Sequence, residues 1–235
     1  MKLEKIRQKG VPRHLAIILD GNGRWAKRRG MPRAYGHKVG ADNIIKAAQL
    51  ADKLGIKYLT VYAFSTENWS RPEQEVNYLM ELPFELYEEH KEDILSDNHN
   101  LVLKHVGRND RLPNKLKKLF AELYAKTKHH TGLVLQLAFD YGFYDELDQA
   151  IKKMIKDNKT SFSKEEILPY LYVNEPVDFL IRTSGEKRLS NFLLYQVGYA
   201  EFYFTKKHWP AFNERTFLKA IKQFQKRERR YGGLK

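Results

Sequence analysis

The chain has 235 residues, of which 42% are hydrophobic and 13% aromatic, a composition that excludes a disordered chain and predicts one folded domain over residues 1–235. It contains no cysteine, which excludes disulfides, cysteine zinc sites and thiol catalysis and fits a reducing cytoplasm. Its 42 Lys and Arg against 29 Asp and Glu give a net charge of +13, which indicates nucleic acid, anionic lipid or a phosphorylated substrate as partner. No apolar run in the sequence reaches membrane-spanning length.

The first predicted strand covers residues 15–19, an unbroken apolar run typical of a central strand that is covered on both faces. Asp20 follows at its carboxyl end. Gly21 and Gly23 allow the backbone amides of residues 21–24 to turn inward as an anion nest before a helix. Neither a Walker loop nor a complete dinucleotide fingerprint is present. This segment taken alone therefore predicts a phosphate site or a plain strand-to-helix turn about equally.

A helix is predicted over residues 34–54, with Gly55 as its stop. Arg33 and His37 lie four residues apart at its entrance, a spacing that directs both side chains to one side, toward the predicted nest. A single His is more often structural than functional. The proximity of Arg33 favours a functional role for His37.

The second predicted strand, residues 57–64, ends in a loop that is rich in chemistry. Its side chains supply hydroxyls, an amide, an indole and a guanidinium, from Ser65, Thr66, Glu67, Asn68, Trp69, Ser70 and Arg71. The alternative is a simple helix cap, and capping and function can coexist here.

A long helix is predicted over residues 73–95, with a kink at Pro83. One side of it carries an apolar stripe made of Val76, Leu79, Met80, Pro83 and Tyr87. Such a stripe is usually ordinary core, but a wide stripe beside a bend could also line a groove for a long hydrophobic substrate. The small Ala63 and the apolar Leu135 and Leu137 on neighbouring strands are candidates for its other wall.

The remaining pattern keeps alternating between strand and helix. Further strands are predicted at residues 101–107, 133–141, 177–181 and 199–204, and further helices at 116–128, 144–155, 164–172 and 213–230. This order predicts an α/β fold, a single domain with a central, mainly parallel six-stranded sheet flanked by helices and a hydrophobic channel beside the sheet. Because ligands bind at the carboxyl ends of such strands, we expect Asp20, residues 65–71 and residues 182–188 to meet at one rim suited to diphosphates and a divalent metal.

Six sequence blocks share their order and spacing with one known family. They are LDGNGRWAKRRG, RAYGHKVGA, VYAFSTENWSRP, IRTSGEKRLSNFLL, YAEFYF and RERRYGG. Together they make the chain resemble the cis-prenyltransferases, most closely the bacterial undecaprenyl diphosphate synthases, over nearly its whole length. The chain lacks the D-D-x-x-D motifs of trans-type enzymes, which supports the cis assignment.

The resemblance implies a Mg²⁺-dependent transferase. It would elongate an allylic diphosphate, such as farnesyl diphosphate, with successive isopentenyl diphosphate units in cis configuration, to give a long-chain polyprenyl diphosphate that serves as precursor of the lipid carrier for cell-wall synthesis. It also implies a cytoplasmic homodimer that contacts the membrane peripherally during product release and binds no nucleic acid.

The resemblance also implies roles for particular residues. Asp20 matches the catalytic aspartate that handles Mg-diphosphate, and Asn68 matches a residue assigned to proton removal. The family's allylic diphosphate site corresponds to Gly21, Asn22, Gly23, Arg24, Arg33 and His37, with Trp25 as an aromatic wall. Its loop beside the reacting carbons corresponds to Ser65, Thr66, Glu67, Trp69 and Arg71. Its isopentenyl diphosphate site corresponds to Arg182, Arg188, Leu189 and Ser190. Asp20 and Glu201 match metal ligands, Glu201 near the subunit boundary. An amide is a poor base, so we expect Asn68 to position substrate rather than to accept the proton.

Four positions depart from the family pattern. Leu19 replaces the usual Met, and Arg108 stands where an Asp is common. Asp140 and Phe143 interrupt the usual Asn-Tyr-Gly-Gly, which alters the loop after the fourth predicted strand.

Two other functions fit parts of the sequence. The net charge and the basic tail at residues 226–230 suggest a nucleic-acid-binding protein, but the arginines concentrate beside carboxylates, where a nucleic-acid site would avoid them. A non-catalytic subunit of a heteromeric prenyltransferase is the second alternative. The presence of both the Asp20 block and the block at residues 182–190 argues against it.

Overall fold

The structure, a computed structural model, describes residues 2–95 and 100–227. The strands are β1 (His14–Ile18), β2 (Tyr58–Ser65), β3 (Val102–Val106), β4 (Val134–Tyr141), β5 (Phe179–Arg182) and β6 (Glu201–Phe204). The helices are α1 (Lys2–Gln8), α2 (Asn22–Lys27), α3 (Arg33–Leu54), α4 (Glu73–Leu95), α5 (Asn114–Thr127), α6 (Phe143–Lys156), α7 (Lys164–Ile167) and α8 (Glu214–Phe224). Two short 3-10 helices, Thr66–Ser70 and Trp209–Ala211, matter for the site.

The strands form one six-stranded sheet in the order β3-β4-β2-β1-β5-β6, and every pair in it is parallel. The predicted α/β architecture is therefore confirmed. Ile18, the last residue of β1, is in register with Tyr62 on β2 and with Arg182 on β5. The central strands consequently end side by side, which places the polar segments that follow them at one rim.

Helices and loops cover both faces of the sheet, which explains the continuous apolar run of β1. Leu15 and Ile17 point into a core with residues of α1, α3 and α8. Ala16 and Ile18 point into a second core on the opposite face, which includes Phe192. All residues of β1 are buried, as a strand that is packed on both faces requires.

The third core lies between α4, α5 and the ends of β2 and β4, and it contains much of the apolar stripe of α4. Val76, Leu79 and Met80 are buried in it. The chain remains helical on both sides of Pro83, so α4 presents one long face to the sheet. Leu137 packs against this core as well as against the one under β1.

Some element bounds differ from the prediction. The segment predicted as a helix at residues 164–172 is the four-residue α7 followed by a short 3-10 helix, because Pro169 has no amide hydrogen for a continuing helix. The predicted last helix ends at Phe224. Residues 228–230 of that prediction, and most of the RERRYGG block, lie outside the described residues.

Within the described residues, no helix combines the length and the apolar character that a membrane span requires.

Candidate active site

Asp20 lies just beyond β1, with its carboxylate between two arginines. Arg24 Nη2 donates to its Oδ1 at 3.0 Å, and Arg182 Nη2 donates to its Oδ2 at 3.2 Å. The side chain of Asp20 remains 24% exposed, whereas that of Arg182 is 5% exposed. The carboxylate is thus held in place from the protein side while its remaining lone pairs face the cleft.

The backbone of Asp20 is fixed as firmly as its side chain. Its carbonyl oxygen accepts hydrogen bonds from Thr183 Oγ1 at 2.7 Å, Ser184 Oγ at 2.8 Å and the Trp209 amide at 3.0 Å. Because Ser184 Oγ donates its only hydrogen to the Asp20 carbonyl, it must accept in its 2.7 Å contact with His208, and Nδ1–H of His208 is the donor. This shell of donors fixes the backbone of Asp20, while Arg24 and Arg182 orient its carboxylate.

Gly21 is the only residue type that fits the next position. Its φ is +101°, and a Cβ there would lie 1.8 Å from Ser184 Oγ. The chain then enters α2 at Asn22, and the first amides of a helix have no partner within the helix. These residues line the cleft beside Asp20, and the anion nest at their amides stays a prediction.

Glu75, in the first turn of α4, contacts three nitrogen-bearing side chains of the cleft. Arg33 donates from Nε at 2.9 Å and from Nη2 at 3.0 Å, and Arg71 Nη1 donates at 3.1 Å. His37 Nε2 lies 3.0 Å from Oε1. Glu75 thereby joins the entrance of α3, the loop after β2 and α4 into one unit.

The environment of Glu75 and His37 shifts the pKa of both side chains. Burial opposes ionisation of Glu75, but hydrogen bonds from Arg33 and His37 and the nearby guanidinium charges outweigh it and lower its pKa to about 2. Burial lowers the pKa of His37 despite its contact with Glu75. At neutral pH the unit therefore contains an ionised Glu75 and a neutral His37.

The turn after β2 is stabilised by a reciprocal cap. The Ser65 side chain accepts from the Asn68 backbone, and Asn68 Oδ1 accepts the Ser65 amide at 3.1 Å. With Oδ1 in use, Asn68 keeps its Nδ2 hydrogens, which have no hydrogen-bond partner among the described residues. Asn68 is thus placed as a hydrogen-bond donor at the cleft.

Arg182 organises the loop that follows β5. Its Nη1 donates to the Arg188 carbonyl and, at 2.9 Å, to Ser190 Oγ. The hydroxyl of Tyr62 on β2 lies between two carbonyl oxygens, at 3.1 Å from that of Tyr141 and 3.2 Å from that of Ser190. The Arg188 side chain, 64% exposed, pairs with Glu186 at 2.5 Å. The loop therefore presents one buried and one exposed guanidinium.

These segments enclose a cleft of about 330 Å³. Of the predicted site residues it is lined by Asp20, Gly21, Asn22, Gly23, Arg24, Arg33, His37, Ser65, Asn68, Arg71, Arg182, Arg188 and Ser190. The predicted residues that do not line it are Trp25, Thr66, Glu67, Trp69, Leu189 and Glu201.

The residues outside the lining have other partners. The half-buried Trp25 ring stacks on Tyr35 with a centroid distance of 6.0 Å. Glu67 Oε1 accepts from Asn191 at 3.2 Å. Leu189 packs against the core that contains Phe192.

Glu201 is separated from Asp20 within the chain. It is the first residue of β6 and is in register with Phe179, the first residue of β5, whereas the cleft is at the other end of these strands. Its carboxylate is 3.8 Å from Arg227 Nε. A metal shared by Asp20 and Glu201 would therefore require a second copy of the chain.

The donor set at the rim fits Mg²⁺ held together with a diphosphate. Mg²⁺ is usually bound by one or two carboxylates plus substrate phosphates, and Asp20 supplies one partly exposed carboxylate beside cationic phosphate ligands. The described residues contain one other group of three potential ligands, Asp42, Glu89 and His90. It lies outside the cleft, and Lys38 already pairs with Glu89 at 2.6 Å.

A small apolar cavity of about 70 Å³ adjoins the cleft between α3, α4 and the sheet. Leu19, Asn22, His37 and Ala63 line both spaces. Of the predicted channel residues, Leu79, Pro83, Ala63 and Leu137 line this cavity, and Val76, Met80, Tyr87 and Leu135 do not.

Glu75, Ser184 and His208 were not predicted from the sequence as site residues. The spacing of Arg71 and Glu75, four apart at a helix start, was a readable signal for an ion pair. Ser184 lies in the segment 182–188 that was expected at this rim, whereas nothing local in the sequence indicates that His208 reaches Ser184.

Known proteins resemble this chain over nearly its full length. Residues 18–232 match the family model described as "Putative undecaprenyl diphosphate synthase". An isoprenyl transferase of Fusobacterium nucleatum is 44% identical over 229 residues, which cover 97% of this chain and 99% of that protein. An isoprenyl transferase of Thermotoga maritima is 46% identical over 231 residues, which cover 95% of this chain and 98% of that protein.

Solved structures share the fold. The crystal structure of lavandulyl diphosphate synthase from Lavandula x intermedia, in complex with dimethylallyl diphosphate, superposes with a TM-score of 0.88 at 31% identity and covers 94% of this chain and 98% of that one. A probable undecaprenyl diphosphate synthase from Campylobacter jejuni gives a TM-score of 0.77 at 33% identity, with the same coverages of 94% and 98%. The chain thus belongs to the undecaprenyl diphosphate synthase family of isoprenyl transferases.

Proposed function

We propose that this protein elongates an allylic diphosphate, such as farnesyl diphosphate, with successive isopentenyl diphosphate units in cis configuration. The observation that carries the proposal is the junction of two spaces. The cationic cleft around Asp20 and the apolar cavity behind it share Leu19 and Ala63 as walls. A polar cleft that continues into apolar space matches a substrate with a charged head and a prenyl tail.

The primer diphosphate is proposed to bind between the amides after Asp20 and the guanidinium groups of Arg24 and Arg33. In each cycle the allylic carbon–oxygen bond breaks, a carbon–carbon bond to the terminal alkene carbon of isopentenyl diphosphate forms, and loss of a proton creates the new double bond. The departing diphosphate takes the electron pair. Amides and guanidinium groups already in place stabilise this charge without waiting for water to reorganise.

The incoming isopentenyl diphosphate is proposed to bind at Arg182, Arg188 and Ser190. Asn68 orients it through the free Nδ2 hydrogens. Because its Oδ1 is occupied by Ser65 and an amide is a poor base, a diphosphate oxygen is the proposed proton acceptor. Mg²⁺, when bound at Asp20, would neutralise charge on the leaving diphosphate.

The cavity of about 70 Å³ is far smaller than a long prenyl tail. Growth of the product therefore requires α4 to move away from the sheet, along the stripe that includes Leu79 and Pro83. We propose a long-chain polyprenyl diphosphate as product, used as a lipid-carrier precursor, and a cytoplasmic homodimer that releases it at the membrane surface.

We propose diphosphates rather than nucleic acid as the ligands of the cationic rim. The clustered arginines are paired with Asp20, Glu75 and Glu186, so this region offers no carboxylate-free basic stripe.

An elongation assay tests the proposal. The purified protein, farnesyl diphosphate, radiolabelled isopentenyl diphosphate and Mg²⁺ should yield radiolabelled products several isoprene units long, and EDTA should abolish them. Absence of any condensed product over a range of primers and divalent metals would refute the function.

A further inference from the structure

Asp140 carries a buried charge next to the loop of the reaction site. It follows Phe139 on β4, is fully buried, and departs from the Asn that is usual in the family. Arg111 neutralises it, with Nε donating to Oδ2 at 3.0 Å and Nη2 donating to Oδ1. A fully buried carboxylate needs a cation and further hydrogen-bond donors to offset its loss of hydration, and Arg111 supplies the cation.

The same carboxylate also holds Trp69. The indole Nε1 donates to Asp140 Oδ1 at 2.9 Å, and the guanidinium of Arg111 lies over the ring, 5.4 Å from its centroid. The rings of Trp69 and Phe64 pack in an edge-to-face arrangement, with their centroids 5.3 Å apart. The Trp69 side chain therefore points away from the cleft into a site that fixes its plane and its polar edge.

This contact anchors the turn that carries Asn68. The turn Thr66–Ser70 is one short 3-10 helix, and Trp69 directly follows Asn68 in it. The turn is also held by its cap with Ser65, the last residue of β2, and by the bond from Asn191 to the Glu67 carboxylate. The contact with Asp140 adds a tie from the turn to the neighbouring strand β4.

We propose that Asp140 is a positioning residue for chain elongation. This inference rests on the function proposed above. The Asp140 carboxylate fixes Trp69, Trp69 fixes the turn, and the turn presents Asn68 to the isopentenyl group. Displacement of a positioning group by about 1 Å can lower a rate by up to about a hundredfold. Loss of the anchor should therefore lower kcat more than it weakens binding of either diphosphate.

Two variants remove the anchor from opposite sides. Trp69→Phe deletes the N–H donor and keeps most of the ring. Asp140→Gly deletes the acceptor without backbone strain, because Asp140 has a φ of +51° that glycine adopts freely. Asp140→Asn keeps an acceptor oxygen and also tolerates this φ. It is the conservative rescue variant.

Arg108→Gln is the matched control. Arg108 departs from the family pattern at the neighbouring strand end, but its side chain pairs with Asp110 at 2.5 Å and with Asp145 at 2.8 Å. Neither partner belongs to the turn. This control reports the effect of disturbing the charge network beside β4 without touching Trp69.

The experiment combines kinetics with hydrogen exchange of residues 65–71. We expect Trp69→Phe and Asp140→Gly each to lower kcat about tenfold or more, to change both KM values less than about threefold and to speed amide exchange in the turn. The double variant should be no slower than the slower single variant, as for two partners of one contact. Asp140→Asn and Arg108→Gln should stay within about threefold of the unchanged protein.

Two results would overturn the proposal. One is unchanged kcat and unchanged exchange in Trp69→Phe. The other is a double variant whose loss equals the product of the two single losses. If the unchanged protein elongates no primer, the proposed function fails, while the exchange measurement still decides whether Asp140 anchors the turn.

Discussion

Arg33 and Glu75 form a two-bond ion pair between the first turns of α3 and α4, with donor–acceptor distances of 2.9 and 3.0 Å. Glu75 also receives Arg71 and contacts His37. One carboxylate thus sets the spacing between Arg33 and His37, which belong to the proposed primer diphosphate site, and Arg71 of the neighbouring loop.

Glu75→Gln should raise the KM for the allylic diphosphate about tenfold, because Arg33 and Arg71 lose their common charged acceptor. The KM for isopentenyl diphosphate should change less. Steady-state kinetics with each substrate varied in turn would measure both. Glu81→Gln is the control, since Glu81 lies on the same helix and pairs with the exposed Lys115. An unchanged primer KM in Glu75→Gln would contradict the assignment.

The same carboxylate should make stability depend on acid pH. The pKa of Glu75 is lowered from 4.5 to about 2 in the fold, so the unfolded chain binds its proton first as pH falls. Its stabilising contribution is complete above pH 4.5 and disappears toward pH 2. Melting temperatures across this range should show the difference between unchanged protein and Glu75→Gln shrinking as pH falls. A constant difference would disprove the lowered pKa.

Asp20→Ala should fold normally and lose nearly all activity, a fall of at least about a hundredfold. The fold should survive because the carbonyl of residue 20 keeps its bonds from Thr183, Ser184 and Trp209. Circular dichroism would verify folding, and the elongation assay at saturating Mg²⁺ would measure turnover. Near-normal turnover there would remove Asp20 from the mechanism.

Arg188→Ala should raise the KM for isopentenyl diphosphate about tenfold and that for the primer less than about threefold. Its side chain is exposed and its interaction with Glu186 is a surface ion pair, so little stability depends on it. Arg182→Ala should impair both substrates, because Arg182 also holds Asp20. Equal effects of Arg188→Ala on both KM values would place Arg188 outside a dedicated isopentenyl diphosphate site.

Product length should follow the volume behind the cleft. Ala63→Leu and Leu137→Trp fill the apolar cavity and should shorten products at a similar first-addition rate, whereas Leu137→Ala should lengthen them. Leu135→Ala is the matched control: it lies on the same strand and does not line the cavity. Thin-layer separation of labelled products would measure length. Constant length in all three cavity variants would locate the channel elsewhere.

Much of the rim was predictable from the sequence because it depends on local patterns. An apolar run of strand length followed by Asp20 and two glycines predicts a strand end and an anion nest. In a parallel sheet, such strand ends necessarily meet at one edge. That rule alone predicts that Asp20, Asn68 and Arg182 lie in one cleft.

Other parts depended on contacts between distant segments. Trp69 belongs to a motif at the reaction loop, yet its indole turns to Asp140, which is 71 residues away in sequence. Glu201 lies in a matching block, yet strand register puts it at the opposite end of β6 from the cleft. His208 reaches Ser184 across two strand ends.

The composition and periodicity of this sequence determined the α/β architecture, the parallel order of its elements and the rim where charge collects, since strands and helices follow from neighbouring residues. The tertiary structure alone decided that Glu75 contacts Arg33, Arg71 and His37, that His208 contacts the Ser184 hydroxyl which holds Asp20, and that Asp140 accepts the Trp69 indole hydrogen. Side-chain direction and loop docking depend on packing between distant segments, which no local pattern encodes.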